Sequence, residues 1–170
     1  MQNKQKIFVL GGAGYVGVKL CEKLLAGGFR VTCFDTCWFG TESLQNCLSN
    51  PNFKLIHGDL RNIELLKKSL DYHDSFIHLA CISNDPSFDL DPSLGKSINF
   101  DYFSQILELT NNSSINRFIY ASSSSVYGVK EEDKVTENLK LEPLTDYSHY
   151  KAQCEKILLN FDSNFCKSIL

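Results

Sequence analysis

The segment KIFVLGGAGYVG, residues 6–17, decides the fold. Its first part, Lys6–Leu10, is a short apolar run typical of a buried strand, and glycines at 11, 14 and 17 follow it at once. Residues 15–26 (YVGVKLCEKLLA) then show helical periodicity and end at Gly27-Gly28, which is a helix stop signal. The segment therefore predicts a strand, a tight glycine turn and a helix.

The glycine turn has the composition of an anion-binding loop. Gly11 permits a tight turn, Gly14 lets the backbone approach a pyrophosphate, and Gly17 lets the helix pack close to the strand. The free N–H groups and partial positive charge of a helix N-terminus favour the same anion. We expect the backbone from Gly11 to Gly17, with Ala13, Tyr15 and Val16 between the glycines, to bind a dinucleotide. The alternative is a glycine turn with a purely structural role.

An acidic residue follows the second predicted strand, Arg30–Phe34. Asp35 stands 24 residues after Gly11, about where a carboxylate meets the adenosine ribose in dinucleotide-binding proteins. A carboxylate there repels a 2′-phosphate, so the sequence favours NAD over NADP as the cofactor.

The rest of the chain alternates strand and helix patterns. Further strands are predicted at Phe53–His57, Ser75–Leu79, Arg117–Ala121 and Phe165–Leu170, and helices at Ile63–Leu70, Leu94–Thr110 and Tyr147–Asn160, with a charged loop over Lys130–Glu142. Such alternation predicts an α/β fold, a Rossmann-type doubly wound parallel sheet, across one domain of residues 1–170. Because the chain stops within its sixth strand signal, we expect it to be truncated there and to lack a C-terminal substrate-binding region.

Composition excludes several classes of function. The net charge is −3 and no Lys/Arg-rich block occurs, so neither nucleic acid nor a membrane is expected as a partner. The seven cysteines include no CxxC pair and no cluster with zinc-ligand spacing, so we expect reduced thiols that serve as small apolar residues, and no metal. We expect a cytoplasmic protein, because the nearly uncharged stretch at residues 7–18 is too short to span a bilayer and no convincing signal-peptide cleavage site follows it.

A tyrosine and a lysine four residues apart share one face of the last predicted helix. Tyr147 and Lys151 lie in TDYSHYK, residues 145–151. A lysine ammonium beside a phenol lowers the pKa of the phenol, which suits a general base. A chance surface pair is the alternative. The run SSSSVYG, residues 122–128, at the end of a predicted strand about twenty residues earlier favours the catalytic interpretation.

These motifs together resemble the extended short-chain dehydrogenase/reductase family, the NAD-dependent sugar-nucleotide epimerases and dehydratases. The resemblance covers nearly all of the chain, with the pieces in the family's order and spacing. They are GGAGYVG, Asp35, GDLR at 58–61, HLA at 78–80, Asn99, SSSSVYG, VTEN at 135–138, and YSHYK.

The resemblance implies roles for individual residues. Tyr147 would be the base, Lys151 would hold the nicotinamide ribose, and Ser123, four residues before Tyr127, would bond the reacting sugar oxygen and relay a proton. The other implied cofactor-binding residues are Asp59 and Leu60 beside the adenine, Leu79, Ala80 and Cys81 on the nicotinamide side, and Ser122 and Asn99.

The implied reaction is hydride transfer between C4 of a nucleotide sugar and NAD. The family's dehydratases carry Asp and Glu directly after the catalytic Thr, and those carboxyl groups eliminate water. Ser124 and Ser125 stand at these positions here, so an epimerase or a simple reductase fits better than a dehydratase. A non-catalytic NAD-binding module, and a dehydrogenase or reductase of a non-sugar substrate, stay open as alternatives.

One stretch, CISNDPS at residues 81–87, is less familiar. Ser83 and Asn84 are either polar contacts to substrate or part of an Asn-Asp-Pro turn. The expected partners are a nucleotide-sugar or other small-molecule substrate and a second copy of the chain in a homodimer.

Overall fold

A computed structural model describes residues 5–170. Six strands form one sheet in the order β3-β2-β1-β4-β5-β6, and every neighbouring pair is parallel. The strands are β1 (Lys6–Leu10), β2 (Arg30–Asp35), β3 (Phe53–His57), β4 (Ser75–His78), β5 (Arg117–Tyr120) and β6 (Cys166–Ile169). The predicted Rossmann-type sheet is confirmed.

Seven α-helices connect or cover the strands. They are α1 (Tyr15–Ala26), α2 (Gln45–Leu48), α3 (Ile63–Ser69), α4 (Asp85–Leu90), α5 (Pro92–Lys96), α6 (Phe103–Asn111) and α7 (Asp146–Asn160). One short 3₁₀ turn, Glu42–Leu44, precedes α2, and a second, Ser124–Tyr127, begins within the serine run. The charged segment at residues 130–142 contains no regular helix or strand, as predicted.

The sheet is covered on both faces, because side chains alternate along each strand. On one face, Ile7 and Val9 of β1 pack with Cys21 of α1 and Cys47 of α2. On the other face, the strands pack against side chains of α3, α6 and α7. The second core contains a row of phenylalanine rings across adjacent strands, with ring centres 5.1–5.9 Å apart, formed by Phe34, Phe8, Phe76, Phe118 and Phe165. Such aromatic pairs each add about 0.5–1.5 kcal/mol beyond the burial of their area.

The single long helix predicted over Leu94–Thr110 is wrong. The structure has α5, a π-helical turn over Ser97–Asp101, and then α6. Asp91 begins α5 by accepting the backbone N–H of Leu94 at 3.0 Å, and the preceding α4 was not predicted. The π turn contains Asn99, whose side chain is hydrogen-bonded to the backbone of Ile82 in the loop after β4. A periodicity pattern within the helix does not show such a contact.

The strand order places a switch point between β1 and β4, because the chain winds outward from them in opposite directions. In open α/β sheets, ligands bind outside the carboxyl ends of the strands at this point. Gly11 follows β1 there with a φ of +85°, and a Cβ on Gly11 would lie only 2.4 Å from the backbone nitrogen of Ala80, which follows β4. The first glycine is therefore required by the close approach of two strand ends.

Candidate functional site

A cleft of about 1190 Å³ opens at the carboxyl ends of the strands, around this switch point. The glycine loop forms one wall, and the ends of β4 and β5 with helix α7 form the other. The predicted residues that line it are Gly11, Ala13, Gly14, Tyr15, Val16, Gly17, Asp35, Asp59, Leu60, Leu79, Ala80, Cys81, Ser83, Ser122, Tyr147 and Lys151. The structure thus brings most of the predicted set to one cavity.

The glycine loop presents open backbone to the cleft. Gly14 is the N-cap of α1 and has no side-chain hydrogen bond to the first helical N–H groups. A Cβ on Gly14 would meet only the carbonyl oxygen of Gly11, at 3.6 Å, whereas a Cβ on Gly17 would lie 2.5 Å from that same oxygen. Gly17 therefore permits packing within the fold, and Gly14 keeps the cleft side of the loop clear.

Asp35 ends β2 beside the loop. Its carboxylate accepts the backbone N–H of Ala13 at 2.9 Å and that of Cys37 at 2.8 Å. These two bonds fix the carboxylate at the edge of the cleft and tie the glycine loop to the strand. Each carboxylate oxygen keeps acceptor capacity for a ligand hydroxyl.

Asp59 lies further along the same wall and is paired with Arg61. Its oxygens accept from the Nε and Nη2 groups of Arg61 at 2.9 and 2.6 Å. The hydrogen bonds from the Arg61 guanidinium hold the pKa of Asp59 below its ordinary value. Asp59 is therefore an ionised residue of the cleft wall at neutral pH.

Helix α7 places Tyr147 and Lys151 at the opposite end of the cleft. The helix begins at a capping box in which the Thr145 hydroxyl accepts the backbone N–H of Ser148 and the Ser148 hydroxyl accepts that of Thr145. Thr145 also donates to the carboxylate of Asp85 on α4. These contacts fix the first turn of α7, which carries Tyr147.

Lys151 is buried, with 3% of its surface exposed. Its ammonium donates to the carbonyl of Ala121 at 2.7 Å and lies 4.9 Å from the ring centre of Tyr120 and 6.0 Å from that of Tyr147. No salt bridge within residues 5–170 involves it. Lys151 therefore brings an uncompensated positive charge to the cleft.

Burial raises the pKa of Tyr147 above its ordinary value, and the Cys81 thiol acts in the same direction. Hydrogen bonding from Ser123 and from the backbone of Asn84 opposes the rise. The net direction is opposite to the one expected from the sequence, because burial outweighs these two hydrogen bonds. Tyr147 is therefore a protonated phenol at neutral pH in this structure.

The four serines have different environments. Ser122 donates its hydroxyl hydrogen bond to the carboxylate of Glu155, one helical turn beyond Lys151 on α7. Ser123 caps the following 3₁₀ turn, where its Oγ accepts the backbone N–H of Ser125 at 3.2 Å and lies 2.8 Å from the Ser125 hydroxyl. Ser124 is exposed. The run is a structured turn between β5 and the cleft.

Asn99 lies behind the cleft and is not part of its lining. Its amide oxygen accepts the backbone N–H of Ile82 at 2.8 Å, and its amide nitrogen donates to the Ile82 carbonyl at 3.0 Å. The pair of bonds holds the loop that follows β4, which carries Cys81 and Ser83 into the wall. Asn99 thus supports the wall from behind.

The segment at residues 81–87 leads from the cleft into helix α4. Ser83 lines the cleft, while the side chain of Asn84 caps α4 by accepting the backbone N–H of Ser87 at 3.0 Å. Asn84 has a φ of +65°, and asparagine is one of the residues that tolerate this left-handed region. The Asn84 side-chain oxygen therefore serves as the N-cap of α4.

Sequence reasoning missed several members of the site. Trp38 and Phe39 line the cleft on the segment just after Asp35, and their position directly behind the strand-end carboxylate was the available signal. No sequence pattern indicated a role for Glu155, because its hydrogen-bond partner Ser122 is 33 residues away in the sequence.

The open backbone at Gly14, the strand-end carboxylate and the long cleft fit a dinucleotide. Among residues 5–170 no group of three or more metal-ligating side chains comes together, and no helix there is long and apolar enough to cross a membrane. All seven cysteines are free, and Cys21, Cys33, Cys47 and Cys154 are buried in the core.

Comparison with known proteins adds independent evidence. The model of the NAD dependent epimerase/dehydratase family matches residues 7–169. The uncharacterized UDP-glucose epimerase YtcB of Bacillus subtilis is 32% identical over 173 residues, which cover 94% of this chain and 52% of that protein.

Two solved structures share the fold closely. The UDP-N-acetylglucosamine 4-epimerase of Methanobrevibacter ruminantium M1, in complex with UDP-N-acetylmuramic acid, superposes with a TM-score of 0.90 at 27% identity, over 99% of this chain and 54% of that one. The UDP-glucuronic acid 4-epimerase of Bacillus cereus, in complex with NAD, gives a TM-score of 0.88 at 29% identity, over 97% and 55%. The chain spans about half the length of these proteins.

Proposed function

This chain belongs to the NAD-dependent epimerase/dehydratase family, and we propose that it binds NAD in the cleft and supports hydride transfer at C4 of a nucleotide sugar. The two solved structures named above are UDP-sugar 4-epimerases, and the Bacillus cereus enzyme was solved with NAD. The Bacillus subtilis relative is an uncharacterized UDP-glucose epimerase. Because those proteins are about twice as long, the proposal does not extend to which nucleotide sugar is the substrate.

One observation carries the proposal. Tyr147 and Lys151 line the same cavity as the glycine loop, and Lys151 is bonded to Ala121, directly before the serine run. A phenol and an ammonium therefore meet at the end of the cleft opposite Asp35. Ser123 does not line the cleft but is hydrogen-bonded to the phenol. A structural glycine turn alone gives no reason for this convergence.

Each residue has a chemical role in the proposal. Gly14 and the N-terminus of α1 would hold the pyrophosphate of NAD, Asp35 its adenosine ribose, and Lys151 its nicotinamide ribose. When bound, NAD supplies the acceptor and donor of the hydride.

Tyr147 would move the proton that accompanies each hydride. In its protonated form it can return a proton to the oxygen of a 4-keto sugar, and in the reverse direction the neighbouring Lys151 ammonium favours the phenolate that accepts one. The hydrogen bond from Ser123 acts to lower the pKa of Tyr147. In the proposed reaction, Ser123 would bridge the sugar oxygen and the phenol.

The serine turn favours an epimerase or reductase over a dehydratase. Ser124 and Ser125 follow Ser123, and the Ser125 hydroxyl is engaged with Ser123 at 2.8 Å. A serine hydroxyl cannot replace a carboxyl group as the general acid or base at neutral pH, because the pKa of the hydroxyl is far higher.

A non-catalytic NAD-binding module and a dehydrogenase of a non-sugar substrate are the alternatives. Calorimetric titration of the chain with NAD tests the binding step, and an assay for a 4-keto sugar tests the chemistry. NAD binding without any conversion would favour the module. A homodimer stays a prediction.

A further inference from the structure

A second cavity, of about 490 Å³, opens at the amino ends of β1, β2 and β3, at the opposite end of the sheet from the cofactor cleft. Four cations line this basic pocket, and they come from four different elements. They are Lys6, Arg30, Lys54 and Lys68, against one lining carboxylate, Asp71. The chain as a whole has a net charge of −3, so this local surplus of positive charge runs against the overall balance.

The sheet register forces two of these cations together. Lys6 begins β1, Arg30 begins β2, and the two are register partners on adjacent parallel strands. Neighbouring strands are only about 4.8 Å apart. The register therefore places both residues at the same edge of the pocket, where one bound anion can reach both side chains.

Nearby acids do not neutralise the pocket. The salt bridges found in residues 5–170 engage Lys19, Arg61, Lys96, Lys130 and Lys140, and none of the four pocket cations. The acid next to the pocket, Asp74, accepts the backbone N–H of Lys6 at 2.6 Å through one oxygen. Its negative charge remains, so four cations face two acids, Asp71 and Asp74, and a surplus of positive charge is left. The pocket cations are therefore free to pair with a ligand.

A buried histidine closes the pocket without adding charge. His73 is 8% exposed, and its two ring nitrogens contact Thr32 Oγ1 at 2.8 Å and the Leu70 carbonyl at 3.2 Å. Burial lowers the pKa of His73, so the ring is neutral at pH 7. The positive charge of the pocket comes from the lysines and the arginine alone.

We propose that the basic pocket binds a small anion with a diphosphate group. A guanidinium such as that of Arg30 can make two parallel hydrogen bonds to one phosphate, and lysine ammoniums act as point charges on the other. A multivalent anion matches the surplus of charge better than a monovalent one. The volume lies within the range of about 300–1,000 Å³ that is usual for small-ligand sites.

The test is calorimetric titration of the 170-residue chain with inorganic pyrophosphate, with NAD at saturation so that the glycine loop is blocked. The double variant Arg30→Gln/Lys54→Gln removes two pocket charges. The matched control, Lys134→Gln/Lys156→Gln, removes two exposed charges elsewhere. We expect the pocket variant to weaken binding at least about tenfold, and the control to change it by less than about twofold.

Three results would overturn the proposal: no binding at all, binding abolished by NAD, or equal loss in both double variants. The single variant Lys68→Gln, on an exposed helical position, repeats the test if the strand variant fails to fold. Titration with ADP under the same conditions separates a nucleotide from a free diphosphate, because only a nucleotide site binds ADP more tightly than pyrophosphate. If NAD itself does not bind, the two double variants still decide the question.

Discussion

Lys151 Nζ donates a hydrogen bond of 2.7 Å to the backbone carbonyl of Ala121, and this bond ties the helix that carries Tyr147 to the strand end that begins the serine run. One helical turn later, Glu155 accepts from the hydroxyl of Ser122. Two adjacent residues at the end of β5 are thus held by two side chains of α7. This arrangement fixes α7, which carries Tyr147, against the end of β5.

Replacing Lys151 by Met removes the ammonium and keeps the length of the side chain. The Ala121 carbonyl then loses its partner, which costs about 1–3 kcal/mol of the free energy of unfolding. NAD affinity should also fall, since the ribose contact is lost. Urea unfolding and calorimetry measure the two effects, and Lys156→Met, on an exposed position of the same helix, is the control. Equal stability and equal NAD affinity of the two variants would show that Lys151 is not part of the site.

Alanine at Gly11 and at Gly14 should have different consequences. At Gly11 the backbone has a φ of +85° and the new Cβ would lie 2.4 Å from Ala80 N, so we expect a loss of stability of at least about 1–3 kcal/mol from strain. At Gly14 the new methyl has space within the fold but enters the cleft. Gly14→Ala should therefore keep its melting temperature and bind NAD at least about tenfold more weakly. Weakened stability with unchanged NAD affinity in Gly14→Ala would contradict the loop assignment.

The Asn99 amide should control the loop after β4. Asn99→Ala leaves the backbone N–H and carbonyl of Ile82 without partners, and we expect faster hydrogen exchange of the Ile82 amide together with lower stability. Asn112→Ala, at an exposed position after α6, is the control. Unchanged exchange at Ile82 would show that the loop is held by other contacts.

His78 should make the protein less stable in acid. It is buried among Phe76, Phe103, Phe118 and Tyr120, its Nδ1 has no hydrogen-bond partner within residues 5–170, and burial, with Lys151, lowers its pKa to about 3. The unfolded chain binds the proton at a higher pH than the folded one does. The contribution of neutral His78 to the free energy of unfolding is therefore complete above the ordinary histidine pKa of about 6.5, and it is lost as the pH falls toward 3.

The variant His78→Phe isolates this effect, because every other group titrates in both proteins. Relative to the variant, the wild type should lose about 1.4 kcal/mol of the free energy of unfolding for each pH unit below about 6. Urea unfolding at a series of pH values measures the difference. A difference independent of pH would place the His78 pKa near its ordinary value.

The strands and α1 follow from local sequence, and the helices that depend on distant contacts do not. Lys6–Leu10, Tyr15–Ala26 and Phe53–His57 begin and end where their patterns predict, because apolar periodicity and the Gly27-Gly28 stop act locally. The π turn at Ser97–Asp101 holds Asn99 in contact with Ile82, 17 residues earlier, and no pattern within the helix shows it.

The site divides in the same way. The spacing of Tyr147 and Lys151 predicts a shared helical face, and the glycine spacing predicts the loop. The pairing of Ser122 with Glu155 and the grouping of cations at Lys6 and Arg30 depend on how strands and helices are assembled. The pKa of Tyr147 was expected to fall because the charge of Lys151 is evident from spacing, whereas the burial that raises it is not.

The most direct test of the account compares Tyr147→Phe with Tyr150→Phe in protein expressed from the whole gene. Tyr150 is on the same helix but stacks against Phe88 and Phe100 outside the cleft, so its variant controls for loss of a tyrosine hydroxyl. The measurement is the rate of 4-epimerisation of UDP-glucose, UDP-N-acetylglucosamine and UDP-glucuronic acid with NAD bound. We expect conversion of at least one sugar by the wild type and Tyr150→Phe, and a rate lower by about 10²–10⁴ in Tyr147→Phe. Equal rates in the two variants, or no conversion by the wild type, would contradict the account.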